Sequence, residues 1–289
     1  MTRNRLLAVA ALAGMSVLVA MAAAQGLGIG RGRFGGGRFE AEGGAATRGQ
    51  TRWAQYEYEM QNPMPDPPDA WEERDFVFAR LRFRAPQRRS HYQSWGIDAN
   101  KSDRQFIQVV QRLTRVDARS VEEIVDVDSD DIFRFPFLYA VSVGDWEITD
   151  PQAARLREYF ARGGFLMVDD FHAEEEWAGF AAVLTRVFPN GDVIDLPNSH
   201  PIFHTVYDLS ERVRIPGLNV VHGRGVERGG EEPHWRAVVD AEGRVMVAIC
   251  HNMDVADAWE WADLPEYPER FATEAYKLGI NYMVYSLTH

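Results

Sequence analysis

The chain has 289 residues, in which 43 acidic side chains against 31 basic ones give a formal net charge of −12. An acidic chain repels nucleic-acid phosphates and anionic lipid head groups, so neither is expected as a partner. Cys250 is the single cysteine, which excludes an intrachain disulfide and leaves stability to a hydrophobic core.

Residues 1–24 have the pattern of a secretory signal peptide. Arg3 and Arg5 precede an apolar run from Leu6 to Val19, and Ala22-Ala23-Ala24 offers a small-residue cleavage site before Gln25. The alternative is an uncleaved membrane anchor, but the run is short for a span. We therefore expect an exported protein, periplasmic or extracellular, with no stable membrane span after cleavage.

Residues 25–73 form a predicted flexible arm. Residues 25–50 hold ten of the chain's 24 glycines, and four prolines follow between residues 63 and 68. Such a composition buries too little surface to offset the entropy of ordering it. A tether is favoured over a basic arm that contacts an acidic partner. Residues 74–289 are predicted to form a single α/β domain.

Within that domain, strands and helices are expected to alternate. The apolar patterns predict strands at 76–83, 124–127, 135–143 and 165–168. Helices are predicted after Ser102, which with Gln105 is expected to cap the helix, from Asp150 to the glycines at 163–164, and after His172. Further strands are expected at 193–196 and 218–221, then a hairpin over 237–250 and a helix over 269–286. This alternation favours a sheet with helices on both faces.

The most informative segment is the strand Phe165-Leu166-Met167-Val168 with the polar residues that follow it. Four apolar residues without polar alternation are typical of a strand buried on both faces. Asp169, Asp170 and His172 come next, at the end where open α/β sheets bind ligands. Adjacent aspartates point to opposite sides of an extended chain, so one is expected to line the crevice and the other to cap a helix. Alternatively, both are caps or turn residues.

His172 is expected on the same side as Asp170, where the two could act as an acid–base pair or bind a divalent metal together with His251. The remaining ligand-binding candidates come from three places in the sequence. They are Trp95 and Asp98 just ahead of the first helix, His222 and Arg224, and His251, Asn252 and Asp254, which follow a predicted strand. The competing interpretation of Trp95 is that it is buried in the core. The competing interpretation of Asn252 is that it forms an ordinary turn.

Several blocks together resemble the bacterial domain-of-unknown-function family 4159. They are Phe135-Pro136-Phe137-Leu138-Tyr139, Gly163 to Phe171, His200-Pro201-Ile202-Phe203, His251-Asn252-Met253-Asp254, Trp259-Glu260-Trp261-Ala262-Asp263 and Lys277 to His289. That family looks like a member of the class I glutamine amidotransferase-like superfamily, related to trehalose-utilisation-type proteins. The resemblance implies a flavodoxin-like three-layer sandwich, with a mostly parallel sheet between two layers of helices.

The chain departs from amidotransferases at the nucleophile. Those enzymes carry a cysteine on a strained turn between glycines, whereas the turn after Val168 has neither cysteine nor serine, and Cys250 lies between Ile249 and His251. Glutamine hydrolysis is therefore not expected.

Two functional classes remain. The first, which we favour, is a non-catalytic module that binds a protein or carbohydrate of the cell envelope. The second is a metal- or acid–base-dependent hydrolase that acts on a carbohydrate-type substrate at the 169–172 turn.

Overall fold

The computed structural model describes residues 66, 68, 70–86 and 94–289. The predicted signal peptide and most of the predicted arm lie outside these residues. The described strands are β1 (Ala79–Arg82), β2 (Glu123–Asp126), β3 (Phe137–Val141), β4 (Phe165–Phe171), β5 (Val193–Asp195), β6 (His234–Val239) and β7 (Val245–His251). The described helices are α1 (Lys101–Leu113), α2 (Asp150–Ala161), α3 (Ala173–Val187), α4 (Leu218–Val221), α5 (Val255–Glu260) and α6 (Glu269–Thr288).

The seven strands form one mixed sheet in the order β2-β1-β3-β4-β7-β6-β5. Neighbouring strands from β2 to β7 pair in parallel, whereas β6 is antiparallel to both β7 and β5. The α/β class is therefore confirmed, and the expected hairpin is the pair β6–β7. The short turn between these two strands forces the antiparallel pairing, which makes the sheet mixed.

Both faces of the sheet are buried, as the apolar character of β4 predicted. All seven residues of β4 are buried. In β3, Tyr139 packs in a cluster with side chains of α1, α5 and α6, whereas Leu138 and Ala140 pack with α2 and α3 on the other side. Alternate residues of a strand thus serve two separate cores, with helices against each face.

Two local predictions are wrong. Leu218–Val221 forms the short helix α4, not a strand, because four apolar residues carry no periodicity that separates the two. Ser102 does not cap α1: the helix begins at Lys101, and the Ser102 hydroxyl instead accepts a hydrogen bond from the buried guanidinium of Arg80.

Left-handed backbone conformations are concentrated near the carboxyl ends of the parallel strands. Asp98, in the connection after β1, has φ of 59°, and Ser142, directly after β3, has φ of 53°. Asp170 in β4 has φ of 50°, and Asn252 after β7 has φ of 61°. Residues other than glycine adopt this backbone conformation at an energetic cost, and those that do concentrate at functional sites. The chain turns aside at each position, and we call the polar region at this edge of the sheet the cleft.

The domain extends toward the arm at its amino-terminal end. Asp66 forms an ion pair with Arg104 of α1 at 2.6 Å, and Ala70 is fully buried.

Throughout the described residues, every helix falls short of the length or the apolar character needed to cross a bilayer.

Candidate functional site

Asp170 lies at the centre of the cleft. The register of β4 against β7 shifts between Val168 and Phe171, and the left-handed turn at Asp170 directs its carboxylate toward Arg228 and His172. Its Oδ1 accepts a hydrogen bond from the Arg228 guanidinium and lies 3.2 Å from Nε2 of His172. Burial acts to raise the pKa of Asp170, but Arg228 and His172 outweigh it and hold that pKa below its ordinary value. Asp170 is therefore a carboxylate.

His172 is buried at the start of α3. Its backbone N–H donates to Oε2 of Glu176 at 2.7 Å, and its Nε2 also lies 3.7 Å from Oε2 of Glu227. Because Nε2 faces two carboxylates, it carries a proton, while Nδ1 has no hydrogen-bond partner. The imidazole thus presents a proton donor to the cleft.

Asp169 has a different role from its neighbour. Its Oδ2 accepts hydrogen bonds from the backbone N–H groups of Val255 at 2.7 Å and Ala256 at 2.9 Å, and from the Tyr139 hydroxyl at 3.4 Å. Burial raises the pKa of Asp169 well above its ordinary value. Asp169 therefore caps α5, the helix that follows β7, whereas Asp170 lines the cleft.

A second group of carboxyls lies in the same cleft, and we call it the acidic cluster: Asp98, Glu227, Asp254, Asp257 and Glu260. Oxygens of Asp98, Asp257 and Glu260 all lie within 4.8 Å of one another. At Gly217, the position of an added Cβ would be 2.6 Å from Oδ2 of Asp254, 2.8 Å from Oε2 of Glu227 and 2.9 Å from Oδ2 of Asp257. Only a residue without a side chain leaves room for these oxygens.

Burial and mutual repulsion dominate the electrostatics of the acidic cluster. Burial raises the pKa of Asp98 and of Asp254 well above the ordinary value, and repulsion from Asp257 adds to both shifts. The pKa of Asp257 is also raised by burial, although the Leu218 N–H counteracts it. Burial and then Asp170 raise the pKa of Glu227. These side chains hold protons more tightly than free carboxyls and favour a ligand that supplies positive charge or donors.

His251 and Asn252 lie at the end of β7, next to β4. Nε2 of His251 is 3.1 Å from the carbonyl of Ala173 and Nδ1 is 3.4 Å from the Arg236 guanidinium, so both ring nitrogens face protein partners. Asn252 Oδ1 accepts from the Ala173 N–H at 2.8 Å, and its Nδ2 donates to the Glu232 carbonyl. Both side chains fix the start of α3, and thereby the position of His172.

The other sequence candidates have separate surroundings. Asp98 belongs to the acidic cluster. The carbonyl of Trp95 accepts from Arg80, while the Trp95 ring lies under the Arg82 guanidinium, 5.7 Å from it. His222 and Arg224 are exposed beyond α4, and within the described part of the chain neither has a hydrogen bond or ion pair with Asp170 or His172.

Four residues of the cleft were missed by sequence reasoning: Glu227, Arg228, Asp257 and Glu260. One signal was present, because Asp254, Asp257 and Glu260 are spaced by three and so share a face of a helix. Arg228 had no such signal. It lies in a short 3₁₀ turn, Glu227–Gly229, whose place beside β4 depends on tertiary packing.

Cys250 lies within β7 and is fully buried. Burial raises the pKa of its thiol well above the ordinary value. A nucleophilic cysteine requires a lowered pKa and access to substrate, and Cys250 has neither. The cysteine thus belongs to the core.

Comparison with known proteins assigns a family without assigning an activity. No functionally curated protein matches the chain. The model of a family described as "Domain of unknown function (DUF4159)" matches residues 77–287. These residues include every described strand, the described helices except the last residue of α6, and every cleft residue named above. The chain therefore belongs to the DUF4159 family.

Proposed function

We propose that this chain is an exported, non-catalytic module that binds a ligand of the bacterial envelope in the cleft at the carboxyl edge of its sheet. One observation carries the proposal: the ionised, buried Asp170 is paired with Arg228, whose side chain is 35% exposed at the mouth of the cleft. The guanidinium is partly exposed and the carboxylate beside it is buried, so the pair offers a ligand an accessible donor next to an acceptor.

A carbohydrate suits the chemistry of this cleft. Sugar hydroxyls donate to carboxylates such as Asp170 and accept from guanidinium groups such as Arg228. The net charge of −12 disfavours polyanionic ligands, nucleic acid among them. A protein of the envelope is the other ligand class, and a basic loop inserted into the cleft would satisfy the same groups.

The relation to the class I glutamine amidotransferase-like superfamily is part of this proposal. Parallel pairing from β2 to β7 and helices against both faces support a flavodoxin-like arrangement, with the β6–β5 extension as an addition. In that arrangement the turn after β4 is where the superfamily carries its nucleophile. Here Asp170 occupies the turn, which favours binding over acyl transfer.

The test is binding of neutral envelope oligosaccharides to the purified mature chain, measured by calorimetry. We expect Arg228→Gln to weaken binding by about tenfold or more. Arg155→Gln is the matched control, because Arg155 is also paired with an aspartate, Asp130, but lies on α2. Equal binding by wild type and Arg228→Gln, or binding by neither, would contradict the proposal. Capture of a protein ligand that depends on Arg228 would assign the other ligand class.

A hydrolase is the second candidate, and the Asp170–His172 contact favours it. An imidazole that donates from Nε2 to a buried carboxylate can serve as a general acid if a substrate reaches it. Hydrolysis of aryl glycosides by wild type, lost in His172→Gln while binding persists, would establish it. Binding without turnover would support the non-catalytic module.

Export is proposed from the first 24 residues. N-terminal sequencing of the protein recovered from the periplasm or medium of a bacterial host is expected to begin near Gln25. Recovery of soluble cytosolic protein that begins at Met1 would contradict export.

A further inference from the structure

Three carboxyl groups from two separate segments meet inside the cleft. Asp98 comes from the loop that leads into α1, while Asp257 and Glu260 lie on α5, and their oxygens are all within 4.8 Å of one another. Like charges at this separation repel strongly when they are shielded from water. Protons retained by these carboxyls, or a bound cation, relieve that repulsion.

Asp98 gives the second, independent indication. Its side chain is buried, with only 6% of the residue exposed, and its Oδ2 has no hydrogen-bond partner. Buried polar atoms in native proteins almost always have a partner. Within the described part of the chain, neither Asp98 nor Asp257 forms an ion pair with lysine, arginine or histidine. An acceptor is therefore left without a donor on a side chain that lies beside Asp257 and Glu260.

The nearby cations are directed to other partners. Lys101 Nζ forms an ion pair with Asp263 at 3.0 Å and lies 4.4 Å from the centre of the Trp261 ring. Arg80 forms its ion pair with Asp103. Arg228 pairs with Asp170 and Glu176. Compensation of the acidic cluster from within the protein is thus partial.

Gly217 lets three carboxyl oxygens of the acidic cluster approach its backbone closely. Gly217 has an ordinary φ of −68°, so its backbone does not require glycine. Its lack of a side chain leaves room for the oxygens of Glu227, Asp254 and Asp257, each of which lies 2.6–2.9 Å from the position of an added Cβ. Two further carboxyls are therefore close to the three that converge.

We infer that Asp98, Asp257 and Glu260 bind one divalent cation of the oxygen-preferring class, Ca²⁺, with Asp254 and Glu227 beside it. Ca²⁺ takes six to eight oxygen ligands at roughly 2.3–2.6 Å, so a single ion spans oxygens about 4.8 Å apart. The donors are all oxygens and the group contains no cysteine or histidine, which disfavours Zn²⁺ and Cu²⁺. The ion cross-links the start of α1 to α5.

This inference goes beyond the proposed function, because the cation requires no second ligand. A cation site without oligosaccharide binding would contradict only the ligand-binding proposal. Oligosaccharide binding that is indifferent to chelators and to Ca²⁺, with no bound cation, would contradict only the inference made here.

Calorimetric titration of Ca²⁺ into chelator-treated mature protein is the primary test. We expect one ion per chain, with binding weakened about tenfold or more in Asp98→Asn and in Glu260→Gln. Glu266→Gln is the matched control, since Glu266 is an exposed carboxylate six residues beyond Glu260. The melting temperature adds a second signature. Without Ca²⁺, the Asp98→Asn variant should have a higher melting temperature than wild type, because repulsion between carboxylates is relieved. Added Ca²⁺ should raise the melting temperature of wild type but not that of Asp98→Asn.

Gly217→Ala tests the location without removing any carboxylate. Its new methyl group would occupy the space shared by Glu227, Asp254 and Asp257, so Ca²⁺ binding should fall while Glu266→Gln retains it.

Terbium(III) bound in place of Ca²⁺ supplies an optical check. The Trp261 Nε1–H donates to Oδ1 of Asp257 at 2.9 Å, so this ring lies close enough to the site to excite the ion. Emission excited through tryptophan should appear in wild type and decrease in Trp261→Phe. Absence of Ca²⁺ binding in wild type, or equal binding in wild type, Asp98→Asn and Gly217→Ala, would overturn the inference.

Discussion

The imidazole Nε2 of His172 and the Arg228 guanidinium converge on one oxygen, Oδ1 of Asp170. The two donors come from opposite sides of the cleft, one at the start of α3 and the other in the loop before β6. Asp170 therefore joins two segments that are 56 residues apart (172 to 228) while remaining ionised. Removing its charge should affect the cleft more than the fold.

The first prediction concerns Asp170→Asn. Asparagine tolerates the left-handed backbone at this position, and loss of the Arg228 pair is partly offset by relief of repulsion with Asp98 and Asp254. We expect the free energy of unfolding to change by no more than about 2 kcal/mol, while ligand binding is lost. Urea unfolding and calorimetry on the same sample measure both. Asp130→Asn, which breaks the surface pair with Arg155, is the control. A variant that unfolds, yet binds normally in its folded fraction, would make Asp170 purely structural.

The second prediction concerns pH and His251. Burial lowers the pKa of His251 to about 4, from an ordinary value near 6.5. The unfolded chain takes up a proton as the pH falls through about 6.5, whereas the folded chain stays neutral at His251 until about 4, so stability falls across this range. The contribution of His251 to the free energy of unfolding should decrease by about 2 kcal/mol between about pH 7 and about pH 5.

The measurement is the difference in unfolding free energy between wild type and His251→Gln at these two pH values. A difference is needed because the buried carboxyls act in the opposite direction: their raised pKa values make the folded state more stable as the pH falls. A difference that does not change with pH would mean that His251 takes up its proton over the same pH range in the folded and the unfolded chain.

Local patterns predicted the architecture well. The run from Phe165 to Val168 has no polar alternation, and this alone predicted a strand buried on both faces; the structure has β4 at the centre of the sheet. The hairpin β6–β7 followed from turn residues between two apolar runs. The strand predicted at 218–221 was wrong because a short apolar run fits either a strand or a buried turn of helix.

The site was only partly predictable, because its members come from distant segments. Asp170 was identified from its place at the end of a strand, and Asp98 from its place just ahead of the first helix. The pairing of Asp170 with Arg228 depends on a loop that sequence periodicity does not locate. Burial was also underestimated: polar residues after a strand suggest an exposed mouth, yet only 1% of His172 is exposed. His172→Ala would therefore leave a cavity, which makes His172→Gln the better probe.

The third prediction separates Asp169 from its neighbour. Its Oδ2 accepts from the backbone N–H groups of Val255 and Ala256, which open α5. Asp169→Ala leaves both donors buried without an acceptor, and we expect a loss of about 2–3 kcal/mol in unfolding free energy. Asp169→Asn retains a carbonyl oxygen, so its loss should be smaller. Urea unfolding of both variants gives the comparison, and equal losses would show that the cap is not the cause.

The last prediction concerns Cys250. Its thiol is fully buried in β7 and has a raised pKa, so the folded protein should not react with Ellman's reagent except through unfolding. Cys250→Ser should leave binding intact and cost about 1–2 kcal/mol, because a hydroxyl is less readily buried than a thiol. Cys250→Ala controls for lost volume. The measurements are the reaction rate in native and denaturing buffer, together with the binding of each variant. Rapid modification of the native protein, or loss of binding in a folded Cys250→Ser variant, would mean that the cysteine acts at the cleft, and the proposed relation to amidotransferases would then extend to their nucleophile.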